Sequence, residues 1–443
     1  MTHTTGLNRT HDPSATSWLD SAQMPGNDFP IQNLPWGVFQ RRDAADGWRG
    51  GVAIGESILD LRALVQSHLL TGLAQQAAQA ASQPTLNAFM AMGPAAWQAL
   101  RHAVFDVLSH ESSAWVRAMA SLSLVPQSEV EMGLPARIGD YTDFYTSIYH
   151  ATNIGKLFRP DNPLLPNYTW VPIGYHGRAS SVMVSGHSFQ RPSGQLLPPG
   201  ASEPVLGACK RLDWELELGV FVGTGNALGS PVALDEAEDH VFGVCLLNDW
   251  SARDIQAWEY QPLGPFLSKN FATTVSPWVV SMEALAPYRQ ALQRPDGKTN
   301  DLAYLSSDHN TAHGALDVQL TIGLTSEAMR AAGAPVHNVC QTSYRHAYWT
   351  LAQMVAHHTV NGCNLQPGDL LGTGTLSGPT LDQAGALIEL TQGGKVPLTL
   401  PSGEQRTFLL DGDEVTLRGW CERPGAARIG FGFCQSRVQP AAI

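Results

Sequence analysis

The stretch DWELELGVFV, residues 213–222, most constrains the fold because its residues alternate strictly in character. Asp213, Glu215 and Glu217 fall on one side, while the even positions from 214 to 220 carry Trp, Leu, Leu and Val. A period of two is that of a β-strand with one apolar and one acidic face. Two like charges that project in the same direction repel each other unless a positive group lies between them.

A second apolar run ends at a further carboxylate. VFGVCLLND, residues 241–249, has the composition of a buried strand that stops abruptly at Asn248 and Asp249. Together with Glu215 and Glu217, Asp249 supplies the hard oxygen ligands that Ca²⁺ and Mg²⁺ prefer. The pattern predicts a metal site, and a solvated strand edge that holds no metal is the open alternative.

The residues that follow this run predict a helix. Ser251 and Asp254 have the spacing of a capping box, which predicts a helix start at this point. A helix would bring Arg253, Gln256 and Tyr260 onto one face, next to any metal that Asp249 holds. The alternative is a surface helix whose polar side chains align without a function.

Two further residues have both a functional and a structural interpretation. Lys269 lies in FLSKNF between two phenylalanines, so its ammonium either lies near the acidic cluster or extends along apolar surface to reach water. His150 closes the segment DYTDFYTSIYH and is either a catalytic or a structural histidine. The sequence contains neither the HExxH pattern of zinc proteases nor the GxSxG elbow of serine hydrolases.

Composition narrows the class of protein. A chain of 443 residues predicts two domains. The net charge of -12 without a basic cluster argues against nucleic-acid binding, and no apolar run approaches the roughly 20 residues of a membrane span. Six scattered cysteines without a CxxC pair indicate reduced thiols and a cytoplasmic location.

Changes of composition along the chain predict its organisation. We expect an N-terminal arm at residues 1–28, then a small β domain with a helical extension at 29–123. A linker at 124–140 and a strand-rich catalytic domain at 141–443 complete the prediction.

Several long motifs, all in the same order, resemble the fumarylacetoacetase family. They are DYTDFY, GYHGRASS, DWELELG, LNDWSARDIQAWEY, SPWVV, HHTVNGCNLQPGDLL and GTGTLSGP, and the resemblance extends from about residue 29 to the C-terminus. It implies a mainly β, α+β fold, in which a mixed β-sandwich roll follows a small SH3-like β-barrel domain. It also implies a homodimer that acts on a small-molecule substrate.

The resemblance assigns a role to each matching position. The implied metal carboxylates, for Ca²⁺ or Mg²⁺, are Asp143, Glu215, Glu217 and Asp249, and positions near a second Mg²⁺ contact are Lys269 and Thr273. The implied base is His150 with Glu389 as its orienting partner, and the oxyanion-stabilising side chains are Arg253, Gln256 and Lys269. The implied substrate contacts are Tyr145, Arg159, Tyr175, Gln256, Tyr260 and Thr375. Ser268 and Ala272 stand where the family has glycine.

The implied reaction is hydrolysis of a carbon–carbon bond in the 1,3-diketone 4-fumarylacetoacetate, which gives fumarate and acetoacetate in tyrosine and phenylalanine catabolism. An acylpyruvate hydrolase or an oxo-acid decarboxylase of the same superfamily would retain the acidic core. A β protein that binds a metal without catalysis is the alternative from a different class.

Overall fold

We analysed a computed structural model of the chain, which describes residues 6–43 and 46–442. Within those ranges, none of the helices has the length and hydrophobicity that crossing a bilayer requires.

The N-terminal part contains a five-stranded antiparallel sheet with the order β4-β3-β2-β1-β5. Its strands are β1 (Trp36–Arg41), β2 (Arg49–Ile54), β3 (Ser57–Asp60), β4 (Leu124–Pro126) and β5 (Val130–Gly133). The helices between β3 and β4 are α1 (Leu61–Gln66), α2 (Gly72–Ala81), α3 (Asn87–Met90), α4 (Pro94–Leu108) and α5 (Ala114–Ser121). The predicted small β domain with a helical extension thus corresponds to one sheet and a group of helices.

Two segments differ from their expected character. Most of the predicted linker 124–140 is structured, since β4 and β5 form the two edges of the N-terminal sheet. Residues 1–5 of the predicted arm lie outside the described residues, and the rest of the arm packs against the protein. Thr10 and His11 are buried, and His11 Nε2 lies 2.8 Å from the carbonyl oxygen of Glu283. The full division into domains stays a prediction.

The remaining strands follow β5 in chain order. They are β6 (Tyr141–Phe144), β7 (Gly174–His176), β8 (Val182–Val184), β9 (Phe189–Gln190), β10 (Ser193–Leu196), β11 (Val205–Ala208), β12 (Leu212–Asp213), β13 (Leu216–Val222), β14 (Val241–Asp249), β15 (Ser251–Ala252), β16 (Thr273–Val275), β17 (Val280–Ser281), β18 (Arg289–Gln290), β19 (Ala315–Leu316), β20 (Gln319–Thr325), β21 (His337–Ser343), β22 (Leu370–Gly372), β23 (Leu398–Thr399), β24 (Gln405–Arg406), β25 (Glu414–Cys421) and β26 (Ile429–Gln439).

The remaining helices are fewer and shorter. They are α6 (Ile148–Phe158), α7 (Arg253–Glu259), α8 (Asp308–His313), α9 (Glu327–Ala331), α10 (Leu351–Thr359) and α11 (Leu387–Leu390). Strands therefore dominate the region after residue 140, and the predicted mainly β, α+β class is confirmed.

Two large sheets and four two-stranded ones make up this region. The larger is an eight-stranded mixed sheet with the order β7-β6-β22-β13-β14-β16-β8, to which β17 adds beside β14. The smaller has the order β21-β20-β25-β26-β9. Leu216 and Leu218 of β13 share one hydrophobic core with Leu320 of β20 and Leu417 of β25, so the two sheets pack face to face.

The larger sheet is buried on its other face as well. Phe221, Phe242 and Leu247 belong to a second core with Trp36 and Phe89 from the N-terminal part. Burial on both faces explains why the sequence of β14 is apolar almost throughout. It also leaves the ends of β6, β13 and β14 deep inside the protein, and these strands carry the predicted metal carboxylates Asp143, Glu217 and Asp249.

Candidate active site

Four carboxylates meet at the ends of adjacent strands in the larger sheet. Asp143 lies on β6, Glu217 on β13 and Asp249 at the end of β14, while Glu215 directly precedes β13. One oxygen from each of the four lies within 4.8 Å of the others, and all four residues are buried. The predicted strand is confirmed from Leu216 onward, but Asp213 lies in the separate strand β12, and Trp214 and Glu215 lie between the two strands. Because all four carboxylates are buried, the solvated strand edge is excluded as an interpretation.

The cluster depends on a glycine in the strand between β6 and β13. A Cβ at Gly372 of β22 would lie 2.7 Å from Oδ1 of Asp143 and 2.8 Å from Oε2 of Glu217. Atoms so close would push the two carboxylates apart. No local pattern indicates this glycine, because only the sheet order places β22 at the cluster.

Two oxygens of the cluster have no hydrogen-bond partner among the residues that the structure describes. They are Oδ1 of Asp143 and Oε1 of Glu217, each in a carboxylate that is cut off from solvent. Burial, and then the charge of Asp249, raises the pKa of Asp143 well above its usual range. Burial and the neighbouring carboxylates raise the pKa of Glu217 in the same way. Unpartnered carboxylate oxygens that converge in a buried site are what a hard divalent cation requires, so these residues fit Ca²⁺ or Mg²⁺.

Two cations flank the cluster. Lys269 Nζ donates hydrogen bonds to Glu215 and to Oδ2 of Asp249, the latter at 2.6 Å. Arg253 Nη2 donates to Oε1 of Glu215 at 2.7 Å. Although burial opposes ionisation of Glu215, the charges of Lys269 and Arg253 hold the pKa of its carboxyl below the ordinary value. Lys269 is therefore close to the acidic cluster rather than in water.

The ionised state of Lys269 bears on its predicted metal contact. Burial disfavours its charge, but Asp249 and Glu215 outweigh this and raise the pKa of the ammonium. An ammonium has no lone pair, so it stands beside a metal as a hydrogen-bond donor. Thr273 lies at the same place, with its hydroxyl 3.2 Å from Oδ1 of Asp249. The second metal contact of these two residues stays a prediction.

The helix that carries Arg253 starts later than predicted, and the predicted capping box is wrong. Ser251 lies in strand β15, where its hydroxyl donates to the carbonyl oxygen of Asp249. Helix α7 begins at Arg253, and the carboxylate of Asp254 accepts instead from the backbone N–H of Lys210 at 2.7 Å. The expected proximity of Arg253 and Gln256 nevertheless holds, with Arg253 Nη1 3.1 Å from the amide oxygen of Gln256.

His150 pairs with Glu389, as the resemblance implies. His150 lies in the first turn of α6, where its backbone N–H donates to the hydroxyl of the capping Ser147. Its Nδ1 is 2.6 Å from Oε2 of Glu389 on α11. Burial opposes the charge of Glu389, but His150 and three hydrogen bonds hold the pKa of its carboxyl below the usual value. Because a carboxylate only accepts, the proton of the neutral ring lies on Nδ1 and leaves Nε2 with a free lone pair.

Two neighbours of Glu389 were missed in the sequence analysis. Asn153 Nδ2 donates to Oε1 of Glu389 at 2.9 Å, and the Ser377 hydroxyl donates to Oε2 at 2.9 Å. Asn153 follows His150 by three residues, so its position on the same helix face was available from helical spacing. Nothing local indicates Ser377, since its contact depends on how the loop after β22 folds.

A cavity of about 310 Å³ opens between these groups. The predicted site residues that line it are Asp143, Tyr145, His150, Arg159, Tyr175, Glu215, Arg253, Gln256, Tyr260, Lys269 and Thr375. Of the others, Glu217, Asp249 and Glu389 each contact a lining residue without lining the cavity themselves, and Thr273 contacts Asp249. The apolar lining, which the sequence analysis did not identify, is Phe144, Ile154, Phe158, Ile173, Ala257 and Pro265.

Aromatic hydroxyls complete the polar part of the lining. Tyr175 donates from its hydroxyl to Oδ2 of Asp249 at 3.0 Å. Tyr145 packs edge to face on the ring of His150 with centroids 5.4 Å apart, and its carbonyl oxygen accepts from the Tyr168 hydroxyl. The Nε of Arg159 is buried and has no partner within the described residues. Arg159 therefore brings to the cavity a guanidinium donor that is free to bind an acceptor on a ligand.

A buried group of carboxylates beside a histidine–carboxylate pair, in a cavity lined by three cationic side chains, is the arrangement of a metal-assisted hydrolase. Comparison with known families narrows this class. The family described as "Fumarylacetoacetate (FAA) hydrolase C-terminal" matches residues 141–439, and "Fumarylacetoacetase N-terminal" matches residues 32–135. The chain belongs to the fumarylacetoacetase family.

Curated relatives extend over almost the full chain. The fumarylacetoacetase of Homo sapiens is 49% identical over 422 residues, which are 94% of this chain and 97% of the relative. The fumarylacetoacetase of Caenorhabditis elegans is 51% identical and covers 94% of this chain and 98% of the relative. That of Oryza sativa subsp. japonica is 46% identical with coverages of 94% and 96%.

Proposed function

We propose that the protein is a fumarylacetoacetase, a hydrolase that cleaves the carbon–carbon bond of 4-fumarylacetoacetate to give fumarate and acetoacetate. The observation that carries the proposal is the His150–Glu389 pair, whose free ring nitrogen lies 3.8 Å from Oε1 of Glu215 in the acidic cluster. Attack of water on a diketone requires a base that takes a proton from the water, and a divalent cation nearby that polarises the carbonyl.

His150 acts as the general base. Its Nε2 takes a proton from water as the oxygen attacks a carbonyl of the substrate. Glu389 fixes the ring tautomer and stabilises the imidazolium that forms, while Asn153 and Ser377 fix Glu389 itself. A positioned base of this kind contributes roughly 10²–10⁴-fold in rate.

Charged and amide donors stabilise the alkoxide that results from the attack. Arg253, Lys269 and the amide of Gln256 line the same cavity as His150. Each donor placed in advance in a water-poor site is worth on the order of 10²–10³ in rate. The contacts that already hold Arg253 and Lys269 to Glu215 place them before the substrate arrives.

Asp143, Glu215, Glu217 and Asp249 would hold the divalent cation, Ca²⁺ or Mg²⁺. When bound, such a cation polarises the oxygens of a diketone and favours departure of the leaving group as an enolate. Four carboxylates and one divalent cation sum to a formal charge of -2, and the ion pairs of Glu215 with Arg253 and Lys269 reduce the repulsion of a substrate with two carboxylates.

Arg159 binds a substrate carboxylate in this scheme. Its Nε is buried and has no partner in the part of the chain that the structure describes, and burial of an unpaired donor is unfavourable until a ligand supplies the acceptor. Tyr145, Tyr175, Tyr260 and Thr375 contribute further contacts from the cavity wall.

We also propose that the enzyme is a cytoplasmic homodimer. All six cysteines are free thiols, as a reducing compartment requires. Phe433 of β26 and Val336, which directly precedes β21, are exposed beside the smaller sheet, and exposed apolar side chains favour association with a second copy. A molecular mass near twice that of the chain, measured by light scattering on a gel-filtration column, is expected.

Loss of diketone absorbance tests the reaction. The purified protein, loaded with Mg²⁺ or Ca²⁺, should remove the absorbance of fumarylacetoacetate, and a chelator should stop the loss until the cation is restored. His150→Ala should leave substrate binding intact while the rate falls at least about a hundredfold. Absence of turnover with either cation, or turnover that the chelator does not affect, would contradict the proposed function.

A further inference from the structure

The carboxylate of Asp213 does not line the cavity but contacts Arg253, which does. The residue is fully buried and ends strand β12, two residues before Glu215 and four before Glu217. It does not line the cavity and is not one of the four clustered carboxylates. Both of its oxygens nevertheless accept hydrogen bonds, from two parts of the chain that carry site residues.

One partner is Arg253. Its Nε donates to Oδ2 of Asp213 at 2.8 Å, while its two terminal nitrogens donate to Glu215 and Gln256. Each of the three guanidinium nitrogens thus donates to a different side chain, so the group has little freedom to rotate or shift. Glu215 and Gln256 line the cavity, so Asp213 is the one acceptor of the three that is not part of the lining.

The other partner is the backbone of the short helix α11. The N–H of Leu387 donates to Oδ1 of Asp213 at 2.7 Å, and that of Ile388 donates to Oδ2 at 3.2 Å. The next residue is Glu389, which pairs with His150. Asp213 therefore holds the first turn of the helix whose third residue orients the base.

We propose that Asp213 is a positioning residue that sets the place of Arg253 relative to Glu389, and so the place of the alkoxide donor relative to the base. One rigid carboxylate connects two segments that are separated by more than a hundred residues of chain. The inference rests on the proposed function for its kinetic consequence, but its geometric part is independent of the substrate.

Asp213→Asn is the sharpest perturbation, because it changes the charge and one acceptor while the shape is conserved. Both oxygens of Asp213 accept, so an amide in either orientation places its NH₂ group opposite an N–H donor of Arg253 or Leu387. Displacement of a catalytic group by about 1 Å costs on the order of 10²-fold in rate. We expect kcat to fall about 10- to 100-fold while KM changes less than about threefold, since no cavity residue is replaced.

Asp60→Asn is the matched control. Oδ2 of Asp60 accepts from Arg49 Nε at 2.7 Å, and its Oδ1 accepts from the first backbone N–H groups of α1, at Arg62 and Ala63. This buried aspartate thus makes the same set of contacts in the N-terminal sheet, away from the cavity. The control should lower the melting temperature about as much as Asp213→Asn and leave kcat within about twofold of wild type.

A double variant tests whether Asp213 acts through Arg253. If it does, Asp213→Asn should slow an enzyme that already carries Arg253→Ala by much less than it slows the wild type. Equal and multiplicative losses would show that Asp213 acts elsewhere. Equal kcat values for Asp213→Asn and Asp60→Asn would likewise overturn the inference, even though wild-type turnover would still support the proposed function.

Two further measurements cover the remaining cases. If Asp213→Asn does not fold, Asp213→Glu retains the charge but displaces it by one methylene, and full wild-type kcat in that variant would overturn the inference. A crystal structure of the folded variant gives an answer even if the wild-type enzyme turns over no fumarylacetoacetate. Arg253 and α11 should both move from their wild-type positions, and an unchanged site would refute the positioning role.

Discussion

Replacement of Glu389 by glutamine removes the charge that orients the base and tests the central pair of the site. Oε2 of Glu389 accepts from His150 at 2.6 Å and from Ser377 at 2.9 Å, and its Oε1 accepts from Asn153 at 2.9 Å. Every neighbour donates to the carboxylate, so the NH₂ of a glutamine finds an acceptor only if the ring of His150 changes its tautomer or if Asn153 or Ser377 reorients its polar group. The side chain of Glu389→Gln must therefore turn a donor toward the histidine or toward Asn153.

The effect of Glu389→Gln on kcat depends on which nitrogen of the His150 ring carries the proton. If the new NH₂ faces Nδ1 of His150, the ring must carry its proton on Nε2 and has no lone pair for water. The loss is then the full contribution of the base, roughly 10²–10⁴-fold in kcat, which corresponds to about 2.7–5.4 kcal/mol in activation free energy. Glu389 does not line the cavity, so KM should change little.

The assay is the loss of diketone absorbance at saturating cation, with kcat and KM determined separately. Glu283→Gln is the matched control, because Glu283 accepts from His102 at 2.6 Å and from Asn8 at 2.8 Å far from the cavity. The control should lose stability but retain kcat. In an enzyme that already carries His150→Ala, Glu389→Gln should cost little more.

Two results would refute this reasoning. A fall in kcat of less than about tenfold for Glu389→Gln would show that the carboxylate does not control a base at this position. A double variant with His150→Ala that is slower than the wild type by the product of the two single losses would show that the two residues act independently.

Two other predictions concern stability. Burial lowers the pKa of His11, whose Nδ1 accepts from the Asn8 N–H in its neutral form, so the unfolded chain takes up the proton first as pH falls below 6.5. The melting temperature of the wild type should therefore fall more from about pH 7.5 to about pH 5.5 than that of His11→Gln, and equal falls would exclude His11 as the cause. A Cβ at Gly155 would lie 1.7 Å from the carbonyl oxygen of Pro163, so Gly155→Ala must displace the helix that carries the base and should lower both the melting temperature and kcat. Gly207→Ala, whose Cβ would meet no atom closer than 3.5 Å, should do neither.

The local pattern of the chain was enough for the elements that carry the metal carboxylates. Alternation predicted the strand with Glu215 and Glu217, and the abrupt end of an apolar run predicted Asp249 at the edge of a buried strand. Such predictions work because backbone geometry alone sets the period of a strand and the face of each side chain. The capping box failed because Ser251 satisfies its hydroxyl within a strand, an outcome that tertiary packing decides.

The sequence by itself determined which side chains could take part in the chemistry and, through long ordered motifs, the family. Only the tertiary structure decided which of them meet. His150 and Glu389 are 239 residues apart, and Asp213, without an assignable role from the sequence, proved to connect Arg253 to the helix of Glu389. The physical reason is that sheet order and the packing of loops determine such contacts, and neither leaves a periodic signal in the chain.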